Sequence, residues 1–245
     1  MSGHSKWATI KHKKGATDAK RAKVFAKLIR QVEVAAREGG ADPEMNPALR
    51  TMFQKARDQS VPLDTIEKAI KRGAGQLEGV AYESITYEGY ASGGVALLVD
   101  VLTDNRNRSG SDVRSVFTKR GGSVAEPGAV AWQFDRKGTM LVDGSVAEDD
   151  LMLAAIDAGA EDITREGDYW RVTTGPTDLH AVRTAVEEAG YKVEESDLTM
   201  VAQNLVTLDD KSAAKKVLDL VDALDDLDDV QAVHGDGSGP DVLDK

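Results

Sequence analysis

The chain has 245 residues, 41% of them hydrophobic and only 5% aromatic, which allows one large domain or two to three small ones with several modest cores. It contains no cysteine, which excludes disulfides, thiolate nucleophiles and cysteine zinc sites and fits a reducing compartment. The formal net charge of −11 at first argues against a polyanionic partner.

The charge is distributed very unevenly along the chain. Residues 1–75 hold 16 Lys and Arg against 8 Asp and Glu, whereas the remaining residues hold 15 against 34. A basic N-terminal region followed by an acidic remainder indicates a contact with a polyanion at one end of the protein.

The first residues lack the apolar run of a secretory signal, and the longest apolar stretch, Val95 to Val99, is too short to span a bilayer. We therefore expect a cytoplasmic protein without a membrane partner.

The N-terminal third reads as a basic arm followed by three short helices. Residues 1–16 carry little apolar content and predict an extended or mobile arm. A helix is predicted from Thr17 to Arg37, a second from Asn46-Pro47, and a third from Pro62 to Arg72. Together they predict a small helical domain over residues 1–78.

The hydrophobic period changes near residue 81. The sequence predicts a strand at Tyr82–Tyr87, a strand at Val95–Leu102, a helix at Arg106–Arg120 and a strand at Val130–Phe134. Residues 139–201 then follow the order βαββαβ, which is the ferredoxin-like order.

The last elements are a strand at Gln203–Leu208, a helix at Lys211–Leu224 and a strand near Val230–Val233. We expect them to complete the domain that begins near residue 79. The predicted fold is therefore α+β and multidomain, with a ferredoxin-like domain (137–202) inserted into a discontinuous one (79–136 and 203–236). Residues 237–245 are rich in Gly and Asp and predict a disordered tail.

The first predicted helix carries the clearest functional signal. At 100° per residue, five cations fall within about 100° of arc and the apolar residues lie opposite; the five are Lys20, Lys23, Lys27, Arg30 and Arg37. A cation on each turn suits the phosphates along a nucleic-acid backbone. The alternative is an ordinary solvated helix face. Only Asp18 and Glu33 oppose the basic charge in residues 1–37, which favours binding.

A second candidate site lies at the predicted strand-to-helix junction of Thr103–Ser109. Arg106 and Arg108 project from the first turn of the helix, where free N–H groups and two guanidinium groups would suit a phosphate. The alternative is a capped loop whose arginines pair with local carboxylates such as Asp100 or Asp112.

Few features of the sequence indicate an enzyme. Asp100 and Asp104 could form a carboxylate pair, but one is predicted in a strand and the other in a loop. The four histidines occupy separate elements without ligand spacing, and no phosphate loop, nucleophile elbow or zinc-protease motif occurs. We expect no catalysis, no metal, no cofactor and no small-molecule substrate.

Two separate motifs resemble the YebC/PmpR family. The N-terminal one comprises Gly3–Trp7, Ile10–Lys14 and Asp18–Arg21; the central one comprises Tyr87–Tyr90, Gly93–Ala96 and Thr103–Arg108. The chain departs from the family pattern at Ala91-Ser92, where Gly-Pro is usual, and at Ala125–Val130. Both departures lie in predicted turns.

The resemblance implies three domains and a regulator of gene expression without catalysis. Bacterial members are described as DNA-binding transcriptional regulators, whereas a mitochondrial relative activates translation and other members are linked to the ribosome. The predicted contact residues are Lys6, Trp7, Lys11, His12, Lys13, Lys14, Lys20, Arg21, Lys23, Lys27, Arg30, Arg106 and Arg108.

Two hypotheses about the nucleic acid follow. A transcriptional regulator would lie against duplex DNA and dock by phosphates, since no helix-turn-helix signature indicates base readout. A translation factor would bind ribosomal or messenger RNA, where a basic arm suits irregular RNA and Trp7 could stack on an unpaired base. The family label favours DNA, and the arm favours RNA.

Overall fold

The computed structural model describes residues 18–239, with side chains from residue 21 onward. The predicted basic arm, with Lys6, Trp7, Lys11, His12, Lys13 and Lys14, lies outside the described residues.

Seven helices and ten strands follow one another over the described residues. The helices are α1 (Asp18–Gly39), α2 (Pro47–Asp58), α3 (Leu63–Gly73), α4 (Arg106–Lys119), α5 (Glu148–Ala155), α6 (Leu179–Glu188) and α7 (Lys211–Asp225). The strands are β1 (Glu83–Tyr90), β2 (Ala96–Thr103), β3 (Ser123–Val124), β4 (Phe134–Asp143), β5 (Ala160–Glu166), β6 (Tyr169–Thr174), β7 (Val193–Ala202), β8 (Val206–Thr207), β9 (Val230–Gly235) and β10 (Gly237–Ser238).

The first three helices form a small bundle, as predicted. The side chain of Asn46 caps α2 by accepting the Leu49 N–H at 3.0 Å, and it donates to the backbone oxygens of Ala35 and Gly40, both at 2.8 Å. One amide thus starts the second helix and holds the end of the first. The apolar stripes of the three helices share one core, formed by Leu28, Val32, Ala35, Ala36, Leu49, Ala56, Val61, Ile66 and Ala69.

After the helical bundle, the chain forms a four-stranded sheet in the order β3-β1-β2-β9. Its central strand, β2, is buried on both faces: Leu97, Val99 and Val101 pack under α4 and α7, while Ala96 and Leu98 join a second cluster with Val130 and Phe134. Strand β9 arrives after the whole inserted segment and pairs with β2, so the domain is discontinuous.

The inserted segment forms a second four-stranded sheet in the order β5-β6-β4-β7. With α5 and α6 in the chain order βαββαβ, this order is that of a ferredoxin-like unit. Its core lies between the sheet and the two helices, around Leu151, Val172, Val182 and Val186. The α+β fold class with an inserted ferredoxin-like domain is confirmed.

The strand predicted at Val130–Phe134 is wrong. Ala131–Gln133 forms a 3-10 turn, and a strand begins only at Phe134. The buried carboxylate of Glu88 accepts the N–H groups of Gly128, Val130 and Ala131 at 2.5, 2.6 and 2.9 Å, which removes them from any strand ladder.

The disordered tail that the sequence predicts from residue 237 is placed too early in the chain. Gly237–Ser238 forms β10, which pairs in parallel with β8. The Leu208 N–H donates to the Ser238 oxygen at 2.7 Å, so the backbone of this segment is paired rather than solvated. Residues 240–245 lie outside the described part of the chain.

Contacts divide the chain into two compact units. One contains Val80–Asp135 and the described residues from Met200 onward; the other contains the described residues up to Gly79 and Arg136–Thr199. Within the second unit, the Arg183 guanidinium donates to Asp58 at 2.7 and 3.0 Å, both side chains being 8% exposed, and Lys55 pairs with Asp197. The helical bundle and the ferredoxin-like unit are therefore joined by one buried ion pair and one partly buried ion pair. The exact boundaries of three domains stay a prediction.

No helix between residues 18 and 239 is long and apolar enough to cross a membrane.

The closest helix approach in the bundle generates a stability prediction. A Cβ on Gly73 would lie 2.2 Å from the Glu33 backbone oxygen and 2.8 Å from the Ala36 Cβ. Gly73→Ala should therefore force α3 away from α1 and lower the free energy of unfolding by about 1–3 kcal/mol, measured by chemical denaturation. Gly79→Ala, whose one neighbour within 3.0 Å is a side-chain atom, the Glu33 carboxylate oxygen at 2.7 Å, rather than backbone, should cost less. Equal losses in both variants would contradict the backbone clash.

Candidate nucleic-acid interface

Helix α1 has two faces because its apolar and cationic residues repeat with the helical period. Leu28 and Val32 are buried against α2 and α3, with Phe25 and Ile29 packed at their edge. The cations lie on the other side. Lys23 is exposed, and Lys27 and Arg30 are half-buried, so their aliphatic stems lie along the bundle. The backbone of Lys20 continues the row, but its side chain lies outside the described residues.

Arg21 does not belong to this row. Its guanidinium carbon lies 5.4 Å from the centroid of the Phe25 ring, a cation–π contact at the first turn of the apolar stripe. Its side chain is exposed, so its charge adds to the N-terminal end of the helix from another side.

The opposing carboxylate of α1 is turned inward. Glu33 is 4% exposed and accepts from Arg72 Nε of α3 at 2.9 Å and from Arg37 at 3.4 Å. In the sequence, Glu33 reduces the net positive charge of the cation row. In the structure, two arginines offset the negative charge of Glu33. Arg37, the last cation of the row, is engaged in that pairing.

Asn105 caps the first turn of α4. The Asn105 side chain accepts the Arg108 N–H at 3.1 Å, and the Thr103 hydroxyl accepts the Asn105 N–H at 2.9 Å. The two arginines that the sequence predicts to bind a phosphate, Arg106 and Arg108, have different surroundings. Arg106 is exposed and makes no ion pair with any residue in the described range.

Arg108 is held by two carboxylates of its own unit. Its Nη2 donates to Asp229 at 2.6 Å and to Asp104 at 2.8 Å, which raises the pKa of the guanidinium. Asp229 also accepts from Ser109 at 2.6 Å and from Thr103 at 3.0 Å. Burial raises the pKa of Asp229, but these donors outweigh it and lower the pKa below its ordinary value. A protein carboxylate thus takes up donors that the sequence predicts for a phosphate, and the partners are not Asp100 or Asp112.

Asp100 and Asp104, which the sequence offers as a carboxylate pair, each lie beside a basic side chain, Asp104 beside Arg108 and Asp100 beside His234. Asp100 meets His234, whose Nε2 lies 3.0 Å from its Oδ2, and accepts from Thr86 at 2.8 Å. His180 is exposed on α6. Within residues 18–239, no three His, Asp or Glu side chains are grouped so that they could hold a metal ion.

Two family models match almost the whole chain. The model described as "TACO1/YebC protein N-terminal domain" matches residues 5–76, and that described as "TACO1/YebC second and third domain" matches residues 82–236. The chain belongs to the TACO1/YebC family.

Individual relatives agree with this assignment. The chain is similar to a "Probable transcriptional regulatory protein" of Rubrobacter xylanophilus, with 56% identity over 96% of this chain and 94% of the relative. It is also similar to a protein of the same name from Halothermothrix orenii, with 53% identity over 99% of this chain and 97% of that protein. The crystal structure of a conserved hypothetical protein from Aquifex aeolicus covers 98% of this chain and 100% of its own length, with 44% identity and a TM-score of 0.89.

Sequence reasoning missed the residues that neutralise or anchor the candidate sites. Asp229 lies 121 positions from Arg108 and Arg72 lies 39 from Glu33, so no local pattern connects either pair. The basic row of α1 belongs to one compact unit and α4 to the other.

The Asp229 network generates a prediction about pH. Because the pKa of Asp229 lies below its ordinary 3.8, the ionised carboxylate stabilises the fold above that pH, and the contribution is lost as pH falls further. Asp229→Asn should lower the free energy of unfolding at pH 7 by about 1–3 kcal/mol and flatten its decline below pH 4. Urea unfolding at pH 7, 5 and 3 measures both effects.

The matched change Asp209→Asn removes an exposed carboxylate of the same unit and should leave stability unchanged. An Asp229→Asn variant as stable as the native chain at pH 7 would show that the network contributes nothing to the fold.

Proposed function

We propose that this protein is a non-catalytic regulator of transcription that acts in the cytoplasm and binds duplex DNA through the cation row of α1. The observation that carries the proposal is the two-faced first helix, with Lys23, Lys27 and Arg30 along one side and a buried apolar stripe on the other. The printed name of the relatives, "Probable transcriptional regulatory protein", supports the regulatory role.

The row suits a phosphate backbone for geometric reasons. Residues 23, 27 and 30 are spaced by four and three positions, so neighbouring members of the row lie about one helical turn apart, with about 5–6 Å between their Cβ atoms. Backbone phosphates along one strand are separated by a comparable distance, so consecutive turns of the helix can address consecutive phosphates. Such contacts fix position without reading sequence.

The rest of the chain limits how nucleic acid can approach. Beyond residue 75 acidic residues outnumber basic ones by 34 to 15, so most of this surface repels a polyanion. The basic arm would extend the α1 row. Arg106 is a second candidate contact, whereas the charge of Arg108 is already offset by Asp104 and Asp229.

The proposal is tested by removing the row and by removing equal charge elsewhere. Replacement of Lys23, Lys27 and Arg30 by Gln should weaken binding to duplex DNA by about 10²- to 10³-fold at 0.1 M salt, because each lost phosphate contact removes nearly one unit of salt slope. For the native chain we expect log K to fall against log[salt] with a slope of roughly −4 to −6. Fluorescence anisotropy across a salt series measures both quantities.

The control replaces three lysines of α7, Lys211, Lys215 and Lys216, by Gln. All three are exposed, and their loss changes the net charge by the same amount. Binding should stay within about twofold of the native value. A folded α1 variant that binds as tightly as this control would exclude α1 as the contact surface.

A translation factor that binds RNA is the second candidate. It is favoured by the same row, because contacts to phosphates carry no base information and do not distinguish the two nucleic acids. The α1 row alone therefore supports both candidates, and the name of the relatives, "Probable transcriptional regulatory protein", favours a role in transcription.

The two candidates separate on a sucrose gradient of cell lysate followed for this protein. A transcriptional regulator should stay at the top of the gradient or sediment with DNA that deoxyribonuclease releases. Co-migration with ribosomal particles that ribonuclease disrupts, and that the α1 variant loses, would favour the translation factor.

A further inference from the structure

Helix α5 of the ferredoxin-like unit and the residue that follows it, Ile156, which keeps a helical backbone conformation, expose three large apolar side chains on one side. Leu151 and Ala155 face the core, but Met152, Leu153 and Ile156 are 42%, 77% and 44% exposed. Positions 152 and 156 are four apart and positions 153 and 156 three apart, so the three side chains are neighbours on the helix surface. We call Met152, Leu153 and Ile156 the α5 patch.

The exposure of the patch is not required by the fold. The helix already buries a complete stripe through Leu151 and Ala155, both 0% exposed, so polar residues at the outer positions would leave the core unchanged. A group of exposed large apolar side chains is characteristic of an interaction site.

The charge around the patch selects the kind of partner. Residues 143–162 contain seven Asp and Glu residues and no Lys, Arg or His. Glu148, Asp149, Asp150 and Asp157 are exposed on α5 or just after it. A nucleic acid or an anionic membrane would be repelled by this rim, whereas a basic protein segment would gain charge complementarity at the edge and apolar contact at the centre.

We propose that the α5 patch is a docking site for a helix of another protein, rich in lysine and arginine, with an apolar strip that covers Met152, Leu153 and Ile156. The apolar centre supplies most of the affinity, and the acidic rim supplies selectivity and a faster association at low salt. The site is separate from the cation row of α1 and does not depend on which nucleic acid that row binds.

The test uses the full chain with ¹³C-labelled Met and Ile methyl groups and a synthetic probe. The probe is an amphipathic peptide of Leu and Lys about five turns long, with a Leu and Glu peptide of the same pattern as its counterpart. The Leu–Lys peptide should shift the methyl signals of Met152 and Ile156. The signal of Met45, which is 80% exposed outside the patch, should stay in place. The Leu–Glu peptide should shift none of them.

Variants separate the apolar and charged parts of the site. Leu153→Ser should weaken the Leu–Lys peptide about tenfold or more, because a buried Leu contact is lost without a change of charge. Joint replacement of Asp149, Asp150 and Asp157 by Asn should weaken it several-fold and remove most of the salt dependence. The matched control Met45→Ser should leave the affinity unchanged.

Four outcomes would overturn the proposal. The Leu–Lys peptide could fail to move the patch signals, or it could move Met45 equally, as a non-specific cation would. The Met152 and Ile156 signals could move when the protein alone is diluted, which would make a second copy of this chain the occupant. A duplex or single-stranded oligonucleotide could shift them, which would make the patch part of a nucleic-acid surface.

Discussion

The pairing of β9 with β2 is the interaction on which the rest of the structure depends. The two strands are separated in the chain by the whole ferredoxin-like insertion, yet they pair in the first sheet, where β9 forms the edge beside the inner strand β2. Carboxylates fix both ends of β9. Asp229 binds Thr103, Ser109 and Arg108, and buried Asp236 accepts the Ala96 N–H at 2.8 Å. Burial raises the pKa of Asp236, although the Ala96 N–H offsets part of the increase.

This closure also determines what α4 can bind. A helix N-terminus that follows a sheet strand is a ready anion site, and the sequence around Arg106 and Arg108 predicts one. The return of the chain at β9 brings Asp229 to that place, because β9 has to start beside the end of β2. The same carboxylate therefore completes the sheet and neutralises Arg108. For this reason the proposed nucleic-acid contact rests on the cations of α1 rather than on Arg108.

Local features were predictable from the sequence, and long-range ones were not. The caps at Asn46 and Asn105, the ends of the helices and the βαββαβ order follow from residues within a few positions of each other. The prediction of a strand at Val130–Phe134 was wrong because Glu88, about forty positions away, accepts the N–H groups that a strand would need. The cation row of α1 was visible as a period, but the inward turn of Glu33 required Arg72 of another helix. Pairings of this kind leave no spacing in the sequence.

The two proposed surfaces carry charges of opposite sign and therefore suit different partners. The α1 row and the α5 patch belong to the same compact unit, yet one suits a polyanion and the other repels it. Since a nucleic acid cannot spread from the first surface onto the second, the acidic rim of α5 stays available while α1 is occupied. A basic protein, in turn, is repelled from α1 by like charge. If both proposals hold, the opposite charges would prevent each partner from competing for the other's site, which is the requirement for a small regulator that holds a nucleic acid and a protein together.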